Sequence, residues 1–197
     1  MKKLIVIEGA DGVGKSTQAK LIAEHYNAHL VSQPSSDNCV GFIRSEAKLN
    51  PTYTALERQL LIAVSHTVDA FTKFSGDNHI VMDRSYLSGL VYGELTGVEK
   101  YELGLLHNIL SNVYIPNTSK FETHVIFIDA DKRWDMPDDD VFEQHPWVKI
   151  RDIYRAKFEE IKKGSLVFSK DETLNIINNT GKTKEEVFSS IVALIGK

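Results

Sequence analysis

The sequence has few of the features that mark secreted, membrane-spanning or polyanion-binding proteins. It contains one cysteine, Cys39, so no disulfide can form within the chain, and this is typical of a reducing compartment. No apolar run approaches the roughly 20 residues of a membrane span. The N-terminal stretch LIVIE is too short for the apolar region of a signal peptide. We therefore expect a cytoplasmic protein without a membrane partner.

An excess of positive charge is also missing. Lysine and arginine total 23 against 27 acidic residues, which gives a formal net charge of -4. Proteins that bind nucleic acid polymers usually carry a basic face, so this balance argues against such a partner. It leaves room for a local basic pocket that binds a small phosphorylated ligand. The length of 197 residues predicts a single domain over 1–197.

Short apolar segments alternate with helical patterns along the whole chain. The segments read as strands are KKLIVIE, AHLVSQP, NHIVMDR, THVIFIDA and TLNIINN. This alternation predicts an α/β fold in which helices cover both faces of a five-stranded parallel sheet. Ligands of such sheets bind beyond the carboxyl ends of the strands, where Glu8, Gln33, Asp83 and Asp129 lie. The polar segment 130–145 is predicted to form a short lid.

The strongest motif follows the first predicted strand. The segment GADGVGKS fits G-x-x-x-x-G-K-[ST] in full and lies between a strand and a helix, as this phosphate-binding loop requires. Lys15 would neutralise charge on the β- and γ-phosphates, and the Ser16 hydroxyl would bind Mg²⁺. The motif therefore predicts a nucleoside triphosphate site with the residues Gly9, Ala10, Asp11, Gly12, Val13, Gly14, Lys15, Ser16 and Thr17.

Asp11 is an unusual member of a loop that binds anions. A carboxylate there repels the phosphates unless it meets a metal, a hydroxyl donor or a cation. Asp11 is either a solvated residue at the tip of the loop or faces a second substrate that carries a hydroxyl group. The residues of the loop leave both interpretations open.

A second motif, DRSYLSGLVY, begins at the end of the third predicted strand. Asp83 can act on Mg²⁺ from outside its first coordination shell, and Arg84 can fork onto a phosphate. A simple ion pair at the end of the strand is the alternative.

Together, the two motifs resemble those of the thymidylate kinase family of nucleoside monophosphate kinases, which have the P-loop NTPase fold. IEGADGVGKSTQ is similar to the family's IEG-x-DG-x-GK-[ST]-TQ, and DRSYLSGLVYG is similar to DR-[YH]-x-x-S-x-x-x-[YF]. EQHPWVKIRDIYRAKF and NTGKTKEEVFSSI resemble later family segments. The implied reaction is transfer of the γ-phosphoryl group of ATP to dTMP with Mg²⁺. The implied assembly is a homodimer, formed through the long helix region.

The resemblance also implies roles for individual residues. Asp11 would receive the 3′-hydroxyl of the acceptor and help to hold Mg²⁺. Arg84 would grip the 5′-phosphate of the acceptor with Arg44 in the same pocket, Tyr92 would lie against the sugar, and Ser88 near the base. The implied metal-binding residues are Ser16, Asp83 and Asp11, and the implied substrate-binding residues are Asp11, Pro34, Arg44, Ile62, His66, Arg84, Ser88 and Tyr92.

The sequence departs from the family pattern at the base pocket and in the lid. Ile62 and His66 stand where relatives usually have phenylalanine and arginine, so the base preference is open. The loop contains no arginine, and relatives of that kind carry one in the lid. Arg133 and Arg151 are the predicted substitutes, although Arg133 could equally pair with lid aspartates. The predicted catalytic residues are therefore Lys15, Arg84, Asp11, Arg133 and Arg151.

Three other functions remain open at this point. A deoxynucleoside kinase would use a 5′-hydroxyl acceptor and a carboxylate base, for which Glu8 is suited, and the DRS sequence at Ser85 favours it. A broader deoxynucleoside monophosphate kinase lies between the two. A nucleotide-binding switch without acceptor chemistry is disfavoured because Lys15, Ser16, Asp83 and Arg84 are all present.

Overall fold

The computed structural model describes residues 1–37, 39–133, 146–166 and 172–196, except the side chains of Arg44, Lys48 and Leu49. Its five strands form one parallel sheet in the order β2-β3-β1-β4-β5. The strands are β1 Lys2–Glu8, β2 His29–Ser32, β3 Ile80–Asp83, β4 Phe121–Asp129 and β5 Glu172–Asn178. The five-stranded parallel sheet predicted from the sequence is confirmed.

The helices occupy the segments between the strands. They are α1 Lys15–His25, α2 Phe42–Leu49, α3 Ala55–Thr72, α4 Tyr86–Leu95, α5 Lys100–Thr118, α6 Trp147–Lys162 and α7 Lys184–Ile195. Local sequence fixes several of their starts. Thr54 and Glu57 form a capping box at α3, and the Ser85 hydroxyl accepts a hydrogen bond from the backbone of α4, which satisfies backbone N–H groups that a helix start leaves free.

The strand order places the helices on both faces of the sheet. Crossovers between parallel strands are right-handed. The connection from β1 to β2 runs in one direction across the sheet, and those from β2, β3 and β4 run in the other. α1 therefore covers one face, where it packs against α7, while α3, α4, α5 and α6 pack together on the other.

Burial of both faces explains the apolar character of the central strand. Residues Leu4 to Ile7 are fully buried, as a parallel strand covered on both sides requires. Ile7 of β1 pairs with Asp83 of β3, and Ser32 of β2 pairs with that same residue. The register therefore brings the segments that follow β1, β2 and β3 to one edge of the sheet.

Most of the predicted lid lies outside the described residues. Of the predicted lid 130–145, only 130–133 are described, and 134–145 lie outside. Within the described part of the chain, no helix is both long enough and apolar enough to cross a membrane.

Candidate active site

The loop after β1 has the geometry of a phosphate-binding loop. Gly9 has φ +144°, and a Cβ there would stand 2.3 Å from the Ile128 carbonyl oxygen, so only glycine fits against β4. Gly14, with φ +92°, is the N-cap of α1. The positive end of α1 therefore faces the loop, and this is the arrangement that binds phosphate at helix N-termini.

Lys15 is buried at the start of α1. Its Nζ donates to the Ala10 carbonyl at 2.6 Å and lies 4.0 Å from Asp11 Oδ1. Burial, together with the nearby charge of Arg84, lowers the pKa of the Lys15 ammonium to about 7. A polyanionic ligand in the loop would favour the charged form of this side chain.

The Asp11 side chain points away from solvent and into the space beside α4. Its carboxylate accepts hydrogen bonds from the Arg84 guanidinium and the Tyr92 hydroxyl. Burial alone would raise the pKa of the Asp11 carboxyl, but the charges of Arg84 and Lys15 outweigh it and hold the pKa below its ordinary value. Asp11 is therefore not a solvated loop tip, and it faces the residues predicted to bind the acceptor.

Arg84 lies at the centre of a hydrogen-bonded group between β3 and α4. Its φ is +71°, which is uncommon for a residue with a side chain. Nη1 donates to Ser88 Oγ at 3.1 Å and to Tyr154 Oη at 2.9 Å, and Cζ lies 5.4 Å from the centre of the Tyr92 ring. The side chain pairs with Asp11, which departs from the simple pairing with Asp83 that the sequence left open.

The buried Glu8 carboxylate is hydrogen-bonded to the start of α4, next to this group. Its Oε1 accepts hydrogen bonds from the Ser85 backbone and hydroxyl at 2.7 and 2.6 Å, and its Oε2 accepts one from Ser88 Oγ at 2.7 Å. Only 1% of Glu8 is exposed, and burial raises the pKa of its carboxyl. Both oxygens are thus committed to the N-terminal turn of α4.

The three arginines near the predicted lid have different surroundings. Arg133 lies over the loop, since a Cβ at Gly12 would stand 2.6 Å from its Cγ, and its buried Nε has no hydrogen-bond partner among the described residues. Arg151 pairs with the adjacent carboxylate of Asp152. Arg155 pairs with Asp129 at 2.7 Å. Arg133 is therefore the one of these arginines that extends directly over the loop.

An open cleft adjoins the loop on the side of β5. It has a volume of about 480 Å³ and is lined by Ala130, Lys132, Arg133 and the segment 179–183. Asn179 connects this cleft to the loop, because its Nδ2 donates to the Val13 carbonyl at 2.7 Å. The cleft has the size of a small-ligand site.

The residues predicted to contact a base lie between α3, α4 and α5. Ile62 is half-buried and His66 is buried, and both line a cavity of only about 10 Å³, which has room for about one water molecule. His66 Nδ1 lies 3.2 Å from Tyr114 Oη. Burial lowers the pKa of His66 to about 3. Contact of these two residues with a base stays a prediction.

The depressed pKa of His66 predicts a pH dependence of stability. Between its unfolded pKa near 6.5 and its folded pKa near 3, only the unfolded chain binds the proton, so stability is lost as pH falls through this window. From pH 6.5 to 5 the loss is about 2 kcal/mol. His66→Gln should remove that part of the pH dependence in denaturant unfolding, whereas His25→Gln, at an exposed position, should not. An unchanged slope in His66→Gln would contradict the prediction.

The segment after β2 is held against α3. Gln33 is buried, and its Nε2 donates to the Asp69 carboxylate, while its Oε1 has no hydrogen-bond partner among the described residues. Pro34 follows through a cis peptide bond and is half-buried. Arg44 belongs to α2, and its side chain lies outside the described part.

The predicted metal-binding residues do not form a cluster of protein ligands. Ser16 is exposed at the start of α1, and the Asp83 Oδ1 atom is buried without a hydrogen-bond partner in the described structure. Asp11 uses both carboxylate oxygens for Arg84 and Tyr92. Among the described residues, no group of three His, Cys, Asp or Glu side chains could hold a metal ion.

Two residues that touch the site were given no role by the motifs. Tyr154 bonds to Arg84, and the Trp147 indole N–H donates to the Asp11 carbonyl at 2.7 Å. Both lie in the segment that resembles the family's sequence after the lid. The R-x-x-Y spacing of Arg151 and Tyr154 is a signal for the tyrosine, while nothing in the pattern indicated the tryptophan.

The fold and the site define a P-loop nucleotide kinase. The sequence model of the thymidylate kinase family matches residues 7–135. A probable thymidylate kinase from Methanococcus vannielii is 31% identical to this chain. The alignment covers 97% of this chain and 94% of the Methanococcus protein. The chain belongs to the thymidylate kinase family, whose members are phosphotransferases that act on nucleotides and use ATP as the donor.

Solved structures agree on the fold. The thymidylate kinase from Candida albicans has a TM-score of 0.72 at 20% identity, covering 98% of this chain and 91% of that one. A deoxyadenosine kinase from M. mycoides has a TM-score of 0.67 at 17% identity, covering 98% of this chain and 100% of that one. At these identities the likeness shows the fold alone, so the acceptor must be argued from the site.

Proposed function

We propose that this protein transfers the γ-phosphoryl group of ATP to dTMP and yields dTDP and ADP. The observation that carries this proposal is the pairing of Asp11, a member of the phosphate-binding loop, with Arg84 and Tyr92 at α4. These side chains form a polar, hydrogen-bonded group directly beside the loop. Residues 1–197 would act as one kinase domain.

The donor would bind between the loop and the cleft beside β5. The cleft opens next to Val13 and Asn179, so a nucleotide with its phosphates in the loop could place its base there. The Ser16 hydroxyl fits a Mg²⁺ ion that keeps water and phosphate oxygens as its other ligands, and the buried Asp83 oxygen could accept a hydrogen bond from one of those waters. When bound, the ion offsets the charge of the phosphates.

The acceptor would bind on the opposite side of the loop. Arg84 would leave Asp11 to fork onto the 5′-phosphate, since a guanidinium binds phosphate with two parallel hydrogen bonds. The Asp11 carboxylate would then accept the 3′-hydroxyl, and Tyr92 would cover the sugar. Pro34, Arg44 and Ser88 would complete the pocket, with Ile62 and His66 on its base side.

The acceptor phosphate is itself the nucleophile, so the protein has little covalent chemistry to perform. It must hold two phosphates in line and offset their charge as the phosphoryl group moves. Lys15 is positioned for this in the loop. Arg133 already lies over Gly12, and its Nε has no hydrogen-bond partner in the described part of the chain. Arg151 lies one helical turn into α6.

A deoxynucleoside kinase is the second candidate function, because Glu8 has a raised pKa and could serve as a base for a 5′-hydroxyl. Its geometry is unfavourable for this role. Both carboxylate oxygens accept hydrogen bonds from Ser85 and Ser88, and the residue is almost fully buried. A base must come within hydrogen-bond distance of the proton that it removes.

An ADP-release assay with Mg-ATP tests the proposal. The acceptors are dTMP, dUMP, dGMP, dCMP, ribothymidine monophosphate and thymidine. A preference for dTMP supports the proposal, and similar rates with all monophosphates indicate a broader deoxynucleoside monophosphate kinase. Activity with thymidine but not dTMP overturns it in favour of the nucleoside kinase. Slow ATP hydrolysis that no acceptor accelerates indicates a nucleotide switch.

A homodimer through the long helix region belongs to the same proposal. Leu60, Val64 and Phe71 are exposed on one face of α3, and Leu105 and Ile109 are exposed on α5, which packs beside it. Large apolar side chains exposed on neighbouring helices are the material of an interaction site. A second copy of the chain is the proposed occupant.

The double substitution Leu60→Glu/Val64→Glu should convert the dimer into a monomer. Each change occurs twice in a two-fold interface, so four apolar contacts are lost and the dissociation constant should rise by more than about 100-fold. Sedimentation velocity measures the result. Leu194→Glu on α7, which is similarly exposed, is the control and should remain dimeric. A wild-type protein that is monomeric at micromolar concentration would contradict the prediction.

A further inference from the structure

One face of helix α6 is directed at the acceptor site. Trp147, Arg151 and Tyr154 follow each other at intervals of four and three residues, so their side chains lie on the same side of the helix. The Arg151 Cζ lies 5.7 Å from the centre of the Trp147 ring. The three side chains therefore form a continuous row that runs from the phosphate-binding loop to α4.

The first contact of this row fixes the main chain of the loop. The Trp147 Nε1 donates to the Asp11 carbonyl oxygen at 2.7 Å, and the indole is half-buried. The same residue, Asp11, has its carboxylate engaged by Arg84 and Tyr92 from α4. Its peptide is thus held from α6 while its side chain is held from α4.

The last contact fixes the guanidinium of Arg84. Tyr154 is 2% exposed, and its ring stacks on Phe127 of β4 with the centroids 5.9 Å apart. Its hydroxyl accepts from Arg84 Nη1 at 2.9 Å and lies 2.7 Å from Ser88 Oγ. Because the ring is packed against the sheet, the hydroxyl holds Arg84 at a defined position.

We infer that α6 positions both halves of the acceptor site, with Trp147 acting through the Asp11 carbonyl and Tyr154 through the Arg84 guanidinium. The inference rests on the proposed function and deepens it. Each residue is assigned an action through another residue of the site, so both are positioning residues. Their effect on rate follows from geometry, because a displacement of about 1 Å can cost 100-fold in phosphoryl transfer.

Trp147→Phe removes the hydrogen bond to the Asp11 carbonyl and keeps an aromatic ring beside Arg151. Because the pyrrole part of the indole is also lost, the comparison of two acceptors separates the hydrogen bond from the change in packing. We expect kcat/KM for dTMP to fall about tenfold, the upper effect of one hydrogen bond. For 3′-deoxythymidine monophosphate, which has no hydroxyl for Asp11 to receive, we expect a loss below about twofold. Val148→Ala, at an exposed position on the same turn of α6, is the control and should match the wild type.

Tyr154→Phe is tested together with Arg84→Lys. If Tyr154 acts through the guanidinium, removal of its hydroxyl should lower activity in the wild type by about tenfold and have little effect once Arg84 is replaced. ATP affinity should stay within about twofold in each variant. Additive losses would show that Tyr154 does not act through Arg84 and would overturn that half of the inference.

The outcomes distinguish this inference from the proposed function. Equal losses of Trp147→Phe on both acceptors would indicate a structural role and overturn the inference. A wild type inactive with every nucleotide would defeat the proposed function instead. In that case an NMR measurement tests the inference. The resonance of the Trp147 indole N–H is assigned by its absence from the spectrum of Trp147→Phe. It should shift when ATP binds the loop, and an unchanged resonance overturns the inference.

Discussion

Lys15→Ala should lower kcat for phosphoryl transfer by about 10³-fold, the upper end of what one preorganised donor contributes. Lys15 is 5% exposed and its Nζ is held inside the loop by the Ala10 carbonyl at 2.6 Å. Alanine leaves the transferring phosphoryl group without this positive charge, in a site from which water is largely excluded. The measurement is single-turnover phosphoryl transfer at saturating ATP, because this separates the chemical step from weaker nucleotide binding.

The fold should survive this substitution. Burial lowers the pKa of the Lys15 ammonium, so its removal relieves an unfavourable desolvation and thermal unfolding should be unchanged or slightly higher. Lys20→Ala changes a lysine on the exposed side of the same helix and should leave kcat within about twofold. Transfer by Lys15→Ala at the wild-type rate would mean that the loop does not bind the donor phosphates as proposed.

Arg84→Ala should lower kcat/KM for dTMP by about 10³-fold while ATP affinity stays within about threefold. The guanidinium is the cation that lies beside Asp11 at the proposed acceptor pocket, and its side chain is 17% exposed. The proposed donor site is formed mainly by backbone N–H groups of the loop and by Lys15, which alanine at this position does not remove. Steady-state kinetics measures kcat/KM for dTMP, and calorimetric titration measures the affinity for ATP.

A matched pair of variants excludes an indirect effect of the lost ion pair. Arg84→Ala leaves the Asp11 carboxylate with Tyr92 and a more distant Lys15, and an unpaired buried charge is itself destabilising. Arg84→Lys keeps the charge but loses the two-pronged geometry, so it should recover only part of the activity. Full activity of a folded Arg84→Ala would show that the acceptor phosphate binds elsewhere.

The parts of the site that the sequence predicted are those formed by consecutive residues. The segment Gly9–Ser16 follows a buried strand and begins a helix, and its glycines fix the backbone locally, so the loop could be inferred from its own residues. The inner strands β1, β3 and β4 were equally accessible, because a parallel strand buried on both faces reads as an apolar run. The motif at α4 gave Arg84 in the same way, and the resemblance to the family added Ser88 and Tyr92.

Base recognition shows where the sequence was insufficient. The helical spacing of Ile62 and His66 placed them on one side of α3, and they do line one cavity. The spacing did not indicate that His66 would be buried against Tyr114 or that the cavity would hold only about one water. Both depend on how α5 packs against α3, and α5 stands some 40 residues further along the chain.

The sequence by itself determined the strand pattern, the phosphate-binding loop and the chemical identity of the acceptor-side residues. Only the tertiary structure decided that Asp11 turns towards Arg84 and Tyr92 and that Trp147 holds its carbonyl. Local backbone preferences and periodicity are encoded in neighbouring residues. Hydrogen bonds and burial across 73 to 136 residues exist only after the sheet order has brought distant segments to one edge.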